Sequence, residues 1–123
     1  MAEQNWHARS SDGSLTPVLI HVDPARFEDK PLVLKRADPD DYHVLADGLL
    51  AGRIFKTNRG AMDTIWVWSL TGPWCGEPDC PAVSYGDTVE LEEAKAQIKA
   101  AFEAWLAWAK VATARGEKIA WHG

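Results

Sequence analysis

The chain has 123 residues, a formal net charge of -5, and hydrophobic and charged shares of 46% and 25%. This is the composition of an ordinary globular domain, long enough to bury a core without disulfide or metal staples. The acidic balance argues against a general nucleic-acid binder, and no apolar run reaches the length of a membrane span. The outlier is tryptophan, with seven residues, each able to bury a large area while its N–H asks for a partner.

Met1 to Leu15 is polar and without period, and reads as a disordered tail ahead of a single domain at 16–123. It lacks the apolar centre of a secretory signal, so a cytoplasmic protein is expected, with its cysteines reduced. "TPVLIHVD" follows as a strand, alternating Val18, Ile20 and Val22 against Leu19, His21 and Asp23. Pro24 and Pro31 interrupt the pattern. "LVLKRA", Leu32 to Ala37, is the next strand, and "DPDD" the turn after it.

In "YHVLADGLLAGRIFK", Asp47-Gly48 between two apolar runs signals a two-residue hairpin, because a type I′ turn needs positive φ at both central residues. Even alternation from that turn sets Ala46 opposite Leu49, Val44 opposite Ala51 and Tyr42 opposite Arg53. One face then carries Tyr42, Val44, Ala46, Leu49, Ala51 and Phe55. The other carries His43, Leu45, Leu50, Gly52 and Ile54, with Gly52 leaving room for a helix side chain such as Trp105. "DTIWVWSL" adds a further strand.

Thr71 to Asp87, with Pro73, Pro78 and Pro81, reads as a long loop. From Val89 to Ala114 apolar residues recur at helical spacing: Leu91, Ala94, Ile98, Ala101, Phe102, Trp105 and Ala112. Asp87 or Thr88 is placed to cap the start, and Glu90, Glu92 and Glu93 suit its positive end. The expected fold is α+β: an antiparallel β-meander of four to five strands with one long C-terminal helix packed on one face.

One helix covers one face of a sheet, yet these strands are apolar on both. The second face needs a cover: the segment Val18 to Val22, another copy of the chain, or a nucleic acid whose bases stack on aromatics. Trp66 and Trp68 read as core beneath Trp105 or Phe102, and together with Trp108 they are the candidate interaction surface. Arg53, Lys56 and Arg59 form a basic run, which reads as a phosphate-contact patch or as a charged edge that deters strand pairing.

Other chemistry is sparse. Cys75 and Cys80 form one isolated pair and read as free thiols, with a disulfide or a metal as the alternatives; a zinc site generally needs four ligands. His7, His21, His43 and His122 share no spacing. There is no phosphate loop, HExxH, GxSxG or dinucleotide fingerprint. No cofactor, metal or catalytic residue is expected.

On "YHVLADGLLAGRI", "WVWS" and "LEEAK", the chain resembles a family of short uncharacterised bacterial proteins with the pattern Y-x-V-x-x-D-G-x-x-x-G-R-I, then W-x-W-S, then a tryptophan-bearing helix. The likeness spans roughly residues 40 to 110. It implies a shared fold, and no functional residues transfer. The order of three strands and a helix also resembles the DNA-binding domains of some integrases and AP2-type factors, from which the acidic balance departs. The expectation is a small non-enzymatic module that binds protein, itself included, with nucleic-acid binding by the sheet as the alternative.

Overall fold

The computed structural model describes residues 7–9, 15–17, 19–60, 63–74, 80–81 and 83–122. The strands are β1 (His7–Arg9), β2 (Leu15–Pro17), β3 (Leu19–Val22), β4 (Val33–Asp38), β5 (Asp41–Ala46), β6 (Leu49–Arg59), β7 (Asp63–Leu70), β8 (Tyr85–Thr88) and β9 (Ile119–His122), with a 3-10 turn at Pro24–Phe27 and one helix, α1 (Leu91–Ala114). Strands β4 to β8 form a five-stranded antiparallel sheet in chain order, and α1 packs on it against β7 and β8. This is the expected meander with its long helix. Two small sheets, β1–β2 and β3–β9, complete the topology. The rest of the expected tail, and residues 75–79 and 82 of the expected loop, lie outside the described residues.

The hairpin turn forms as its sequence demands, with φ of 48° at Asp47 and 81° at Gly48, and Ala46 opposite Leu49. The Asp47 carboxylate accepts hydrogen bonds from Arg26 Nε and Lys30 Nζ, both at 2.9 Å, which ties the turn to the segment after β3. Lys30 first, then Arg26, holds this carboxyl below the usual range.

Two residues on, even alternation fails. Val44 pairs with Gly52 and Leu45 with Leu50, so Ala51 is an extra residue in β6. The bulge has a visible cause. The Ala51 carbonyl accepts from both Thr71 N and Gly72 N at 2.8 Å, fastening the chain as it leaves β7. Because side chains alternate with period two, one inserted residue exchanges the faces beyond it. Ile54 therefore points to the helix and is fully buried, while Phe55 lies on the opposite face, the reverse of the expected placement. Gly52 does make room for the helix, but for Ile98 rather than Trp105. A Cβ there would sit 2.1 Å from the Ser69 carbonyl oxygen and 3.1 Å from Ile98 Cδ1.

The helix opens later than expected. Strand β8 runs on to Thr88, whose hydroxyl donates to the Glu90 carbonyl at 2.7 Å, and Glu90 caps α1 in a capping box with Glu93. Its buried stripe is Ala94, Ile98, Ala101, Phe102, Trp105, Ala109 and Ala112.

Of the segment Val18 to Val22, Val18 lies outside the described residues, and Leu19 to Val22 does not provide the cover the sequence suggested. Strand β3 pairs with β9, from Leu19 opposite His122 to Val22 opposite Ile119. Val22, Ile119 and Trp121 are all buried in the helix-side core. Phe27 stacks on Trp121 at 5.2 Å between ring centroids, and Trp105 meets Trp121 edge-on at 5.6 Å. Replacing Trp121 with alanine is expected to cost about 3–5 kcal/mol, read from the denaturant midpoint with unchanged slope. A loss below about 1 kcal/mol would remove β9 from the core.

Candidate interaction surface

The register sorts every strand of the main sheet into two faces. Toward the helix point Leu34, Tyr42, Val44, Ala46, Ile54, Lys56, Trp66, Trp68 and Leu70. Trp68 is 3% exposed, and its Nε1 donates to Gln97 Oε1 at 2.8 Å. It belongs to the core, which corrects its assignment to an interaction surface. The cause is the helix lying directly over it. Trp66 is half-buried at the edge of the same packing, 6.2 Å from Tyr42 between ring centroids. Trp108 is half-buried on α1, and its Nε1 is buried with no hydrogen-bond partner.

The basic run is divided by the same alternation. Lys56 lies opposite Trp66 on the helix side, its Nζ 5.6 Å from that ring. Arg53 lies on the other face, and Arg59 pairs with Asp63 in the register of β6 and β7. The structure therefore does not unite Arg53 and Lys56 in one phosphate patch.

Away from the helix lies the second face of the sheet, on which no other described element is seen to pack. The row Lys35, His43, Arg53, Ser69 and Tyr85 crosses all five strands, one residue from each. Beside it run Asp41, Phe55, Val67 and Asp87, then Thr57 and Ile65; on its other side lie Val33, Leu45 and Leu50. Leu45, Leu50, Phe55, Ile65 and Val67 are half-buried, and Val33 and Tyr85 are exposed.

Arg53 organises the centre of this face. It makes a bidentate pair with Asp41, Nε to Oδ1 at 2.9 Å and Nη2 to Oδ2 at 2.7 Å. Its guanidinium lies 4.3 Å from the centroid of the Phe55 ring. The planar fork fits both partners at once, which a lysine would not. The hydrogen bonds raise the Arg53 pKa and lower that of Asp41.

Cys80 corrects the expectation of free thiols, for it is half of a disulfide. The other cysteine of the chain, Cys75, lies outside the described residues. Among the described residues, no three His, Cys, Asp or Glu side chains come together as a metal site, and no helix is long and apolar enough to cross a membrane. No protein-family model, curated protein or solved structure matches the chain.

Sequence reasoning missed the five-strand row, because even alternation in β6 set His43 opposite Gly52. The available signal was Gly52 itself, since an isolated glycine in a strand often marks a bulge.

Two measurements follow from this geometry. Because Asp41 is depressed in the fold, its pairing contributes stability above the ordinary carboxylate range and loses it as pH falls through the folded pKa. Asp41→Asn is expected to lower stability at pH 7 by less than about 1 kcal/mol, the scale of an exposed pair. That difference should vanish in acid, as followed by urea titrations from pH 7 to 2. Iodoacetamide added without reductant should leave Cys80 unmodified; labelling at Cys80 in the folded protein would refute the disulfide.

Proposed function

We propose that this chain is a non-enzymatic protein-interaction module whose sheet face away from α1 packs against a second copy of itself. The observation that carries this reading is the apolar content of that face. On the side of the sheet away from α1, Phe55, Val67 and Ile65 form one apolar patch, and Leu45 and Leu50 form another across the polar row that holds Arg53. Apolar patches rimmed by polar residues mark interaction sites. Here Lys35 and Asp87 stand at opposite ends of the sheet, so two faces meeting with their sheets reversed bring unlike charges together at both rims.

A second reading has its own support. Lys35, His43 and Arg53 in one row, with Phe55 and Tyr85 beside it, is a pattern suited to stacking bases and contacting phosphates of a single strand. Asp41 and Asp87 on the same face weigh against it. The disulfide at Cys80 speaks for an oxidising compartment over the cytoplasm.

Light scattering across a dilution series tests the leading reading. The mass is expected to approach twice 13.6 kDa and fall to the monomer on dilution. Phe55→Asp should weaken association by at least tenfold, roughly the effect of losing a central apolar contact, while leaving the circular dichroism spectrum unchanged. A monomer at every concentration, or a dimer indifferent to Phe55→Asp, would defeat it. Binding of short oligonucleotides that fades with salt would establish the second reading instead.

A further inference from the structure

Strand β4 is an outer edge of the main sheet, and all its residues except Leu34 are exposed, Val33 at 53%. Its pairing with β5 is regular from Val33 opposite Leu45 to Arg36 opposite Tyr42, and the register shifts only beyond Arg36. The direction of its main-chain groups follows from its neighbour. Ala46 pairs with Leu49 across the two-residue turn, and the Asp40 carbonyl accepts from Lys56 N at 2.9 Å. From 40 to 46 the even-numbered residues therefore bond to β6, and the odd-numbered ones to β4, since main-chain groups alternate sides along an antiparallel strand. Leu45 and His43 bond to Val33 and Lys35. This leaves the N–H and C=O of Leu34 and Arg36 directed outward. Among the described residues, neither has a main-chain partner on that side.

The charges on this edge are selective. Lysine and arginine guard an exposed strand against unwanted pairing. A second copy of β4, joined antiparallel through both Leu34 and Arg36, would set Lys35 against Lys35 or Arg36 against Arg36. Like charges directly opposite destabilise a ladder. An acidic partner meets no such barrier. The net charge of the chain is -5, and Arg26, Lys30, Arg53, Lys95, Lys110 and Arg115 each pair with a carboxylate. Lys35 and Arg36 stand side by side without one among the described residues; Arg36 Nη2 donates to the Pro39 carbonyl at 3.2 Å. Across β5, Lys35 faces His43 and, diagonally, Asp41, whose carboxylate is already held by Arg53. Two acids mark where the basic stretch ends: Asp38 and Asp40, both exposed at the turn into β5.

An exposed sheet edge captures an extended peptide by adding it as a strand. Main-chain hydrogen bonds supply the attachment, and the side chains supply the selection. We infer that the outer edge of β4 binds an extended acidic segment of another protein as a sixth, antiparallel strand, with two acidic residues followed by two apolar ones. Antiparallel addition continues the pattern of the sheet and is the more stable pairing per residue. The order follows from direction. Because β4 runs from Val33 to Arg36, an antiparallel partner meets Arg36 first. Its first acid lies opposite Arg36 on the helix side, and its second opposite Lys35 on the far side. The next residue lies beside Leu34, which packs against the core, and the last covers Val33. Acids placed earlier in the partner would approach Asp38 and Asp40, which fixes the register. This site uses main-chain groups at the rim of the sheet and does not rest on self-association through its face.

The test uses the full chain and a fluorescein-labelled octapeptide, Thr-Thr-Glu-Glu-Val-Val-Thr-Thr, blocked at both ends, with anisotropy followed up to about 1 mM protein. The reversed peptide, Thr-Thr-Val-Val-Glu-Glu-Thr-Thr, has the same composition and charge. It is expected to bind about tenfold more weakly, because no antiparallel register satisfies both its acids and its valines. Lys35→Glu combined with Arg36→Glu, at two exposed positions, should abolish binding of the first peptide and admit Thr-Thr-Lys-Lys-Val-Val-Thr-Thr instead. On saturation, hydrogen exchange at the Leu34 and Arg36 amides should slow, as read by NMR, which a peptide held only by side-chain charge would not cause. Phe55→Asp, which weakens the proposed dimer, should leave binding within about twofold, as expected of a distant site. Failure of the dimer and failure of this inference are thereby distinguished. The inference is overturned if the first peptide does not bind, if the reversed peptide binds equally well, or if exchange at Leu34 and Arg36 is unchanged. It is equally overturned if those amides are already protected, without peptide, in a dimer that survives Phe55→Asp, since a second copy then holds the edge.

Discussion

Trp105 is the contact on which the remainder of the molecule rests. It is completely buried, and its ring touches three aromatic neighbours from three parts of the chain: Phe27 at 5.8 Å, Phe102 at 5.5 Å and Trp121 at 5.6 Å between centroids. Its N–H donates to the Trp74 carbonyl at 3.1 Å, so the polar atom is satisfied by the segment leaving the sheet. One side chain thus joins the helix to the 3-10 turn, to β9 and to the segment that follows β7. Aromatic packing of this kind adds to area burial through edge-to-face geometry. It also decides the character of the two sheet faces. With Trp66, Trp68, Trp105, Trp121, Phe27 and Phe102 gathered on the helix side, the far side of the sheet carries Phe55 and Tyr85 among the described residues.

The architecture was largely legible in the sequence because its strongest signals are local. Asp47-Gly48 fixed one hairpin, and the stripe from Ala94 to Ala112 fixed the helix and its last residue, Ala114. What escaped was set by contacts between distant residues. Strand β9 is four residues long and gains its identity only from pairing with β3 and from the pocket that receives Trp121, where Gly72 would otherwise bring a Cβ to 2.5 Å. Strand β8 was hidden inside a proline-bearing stretch for the same reason; it exists because Trp68 lies under Gly86.

The surface was less legible than the fold, and one residue accounts for most of the difference. Any face assignment carried outward from the Asp47-Gly48 turn inverts at Ala51. Val44 and Ala46, before the bulge, point where alternation puts them; Ile54 and Phe55, after it, do not. Several residues of the stretch from Tyr42 to Ile54 are explained by packing. Asp47 and Gly48 form the turn, Gly52 admits Ile98, and Arg53 bridges Asp41 and Phe55. Such a pattern reports on how the sheet is built and leaves its partner unstated.

Strands β3 and β9 bring together segments separated by about a hundred residues, a long closure by the standards of a small domain. The sheet, by contrast, is assembled entirely from neighbours in the chain. During synthesis the meander and its hairpin can form as they emerge, while Phe27 and the helix side of Trp105 stay uncovered until Trp121 has been made. The nascent domain therefore passes through a stage in which its most aromatic surface is bare, and its completion is timed by the arrival of its last strand.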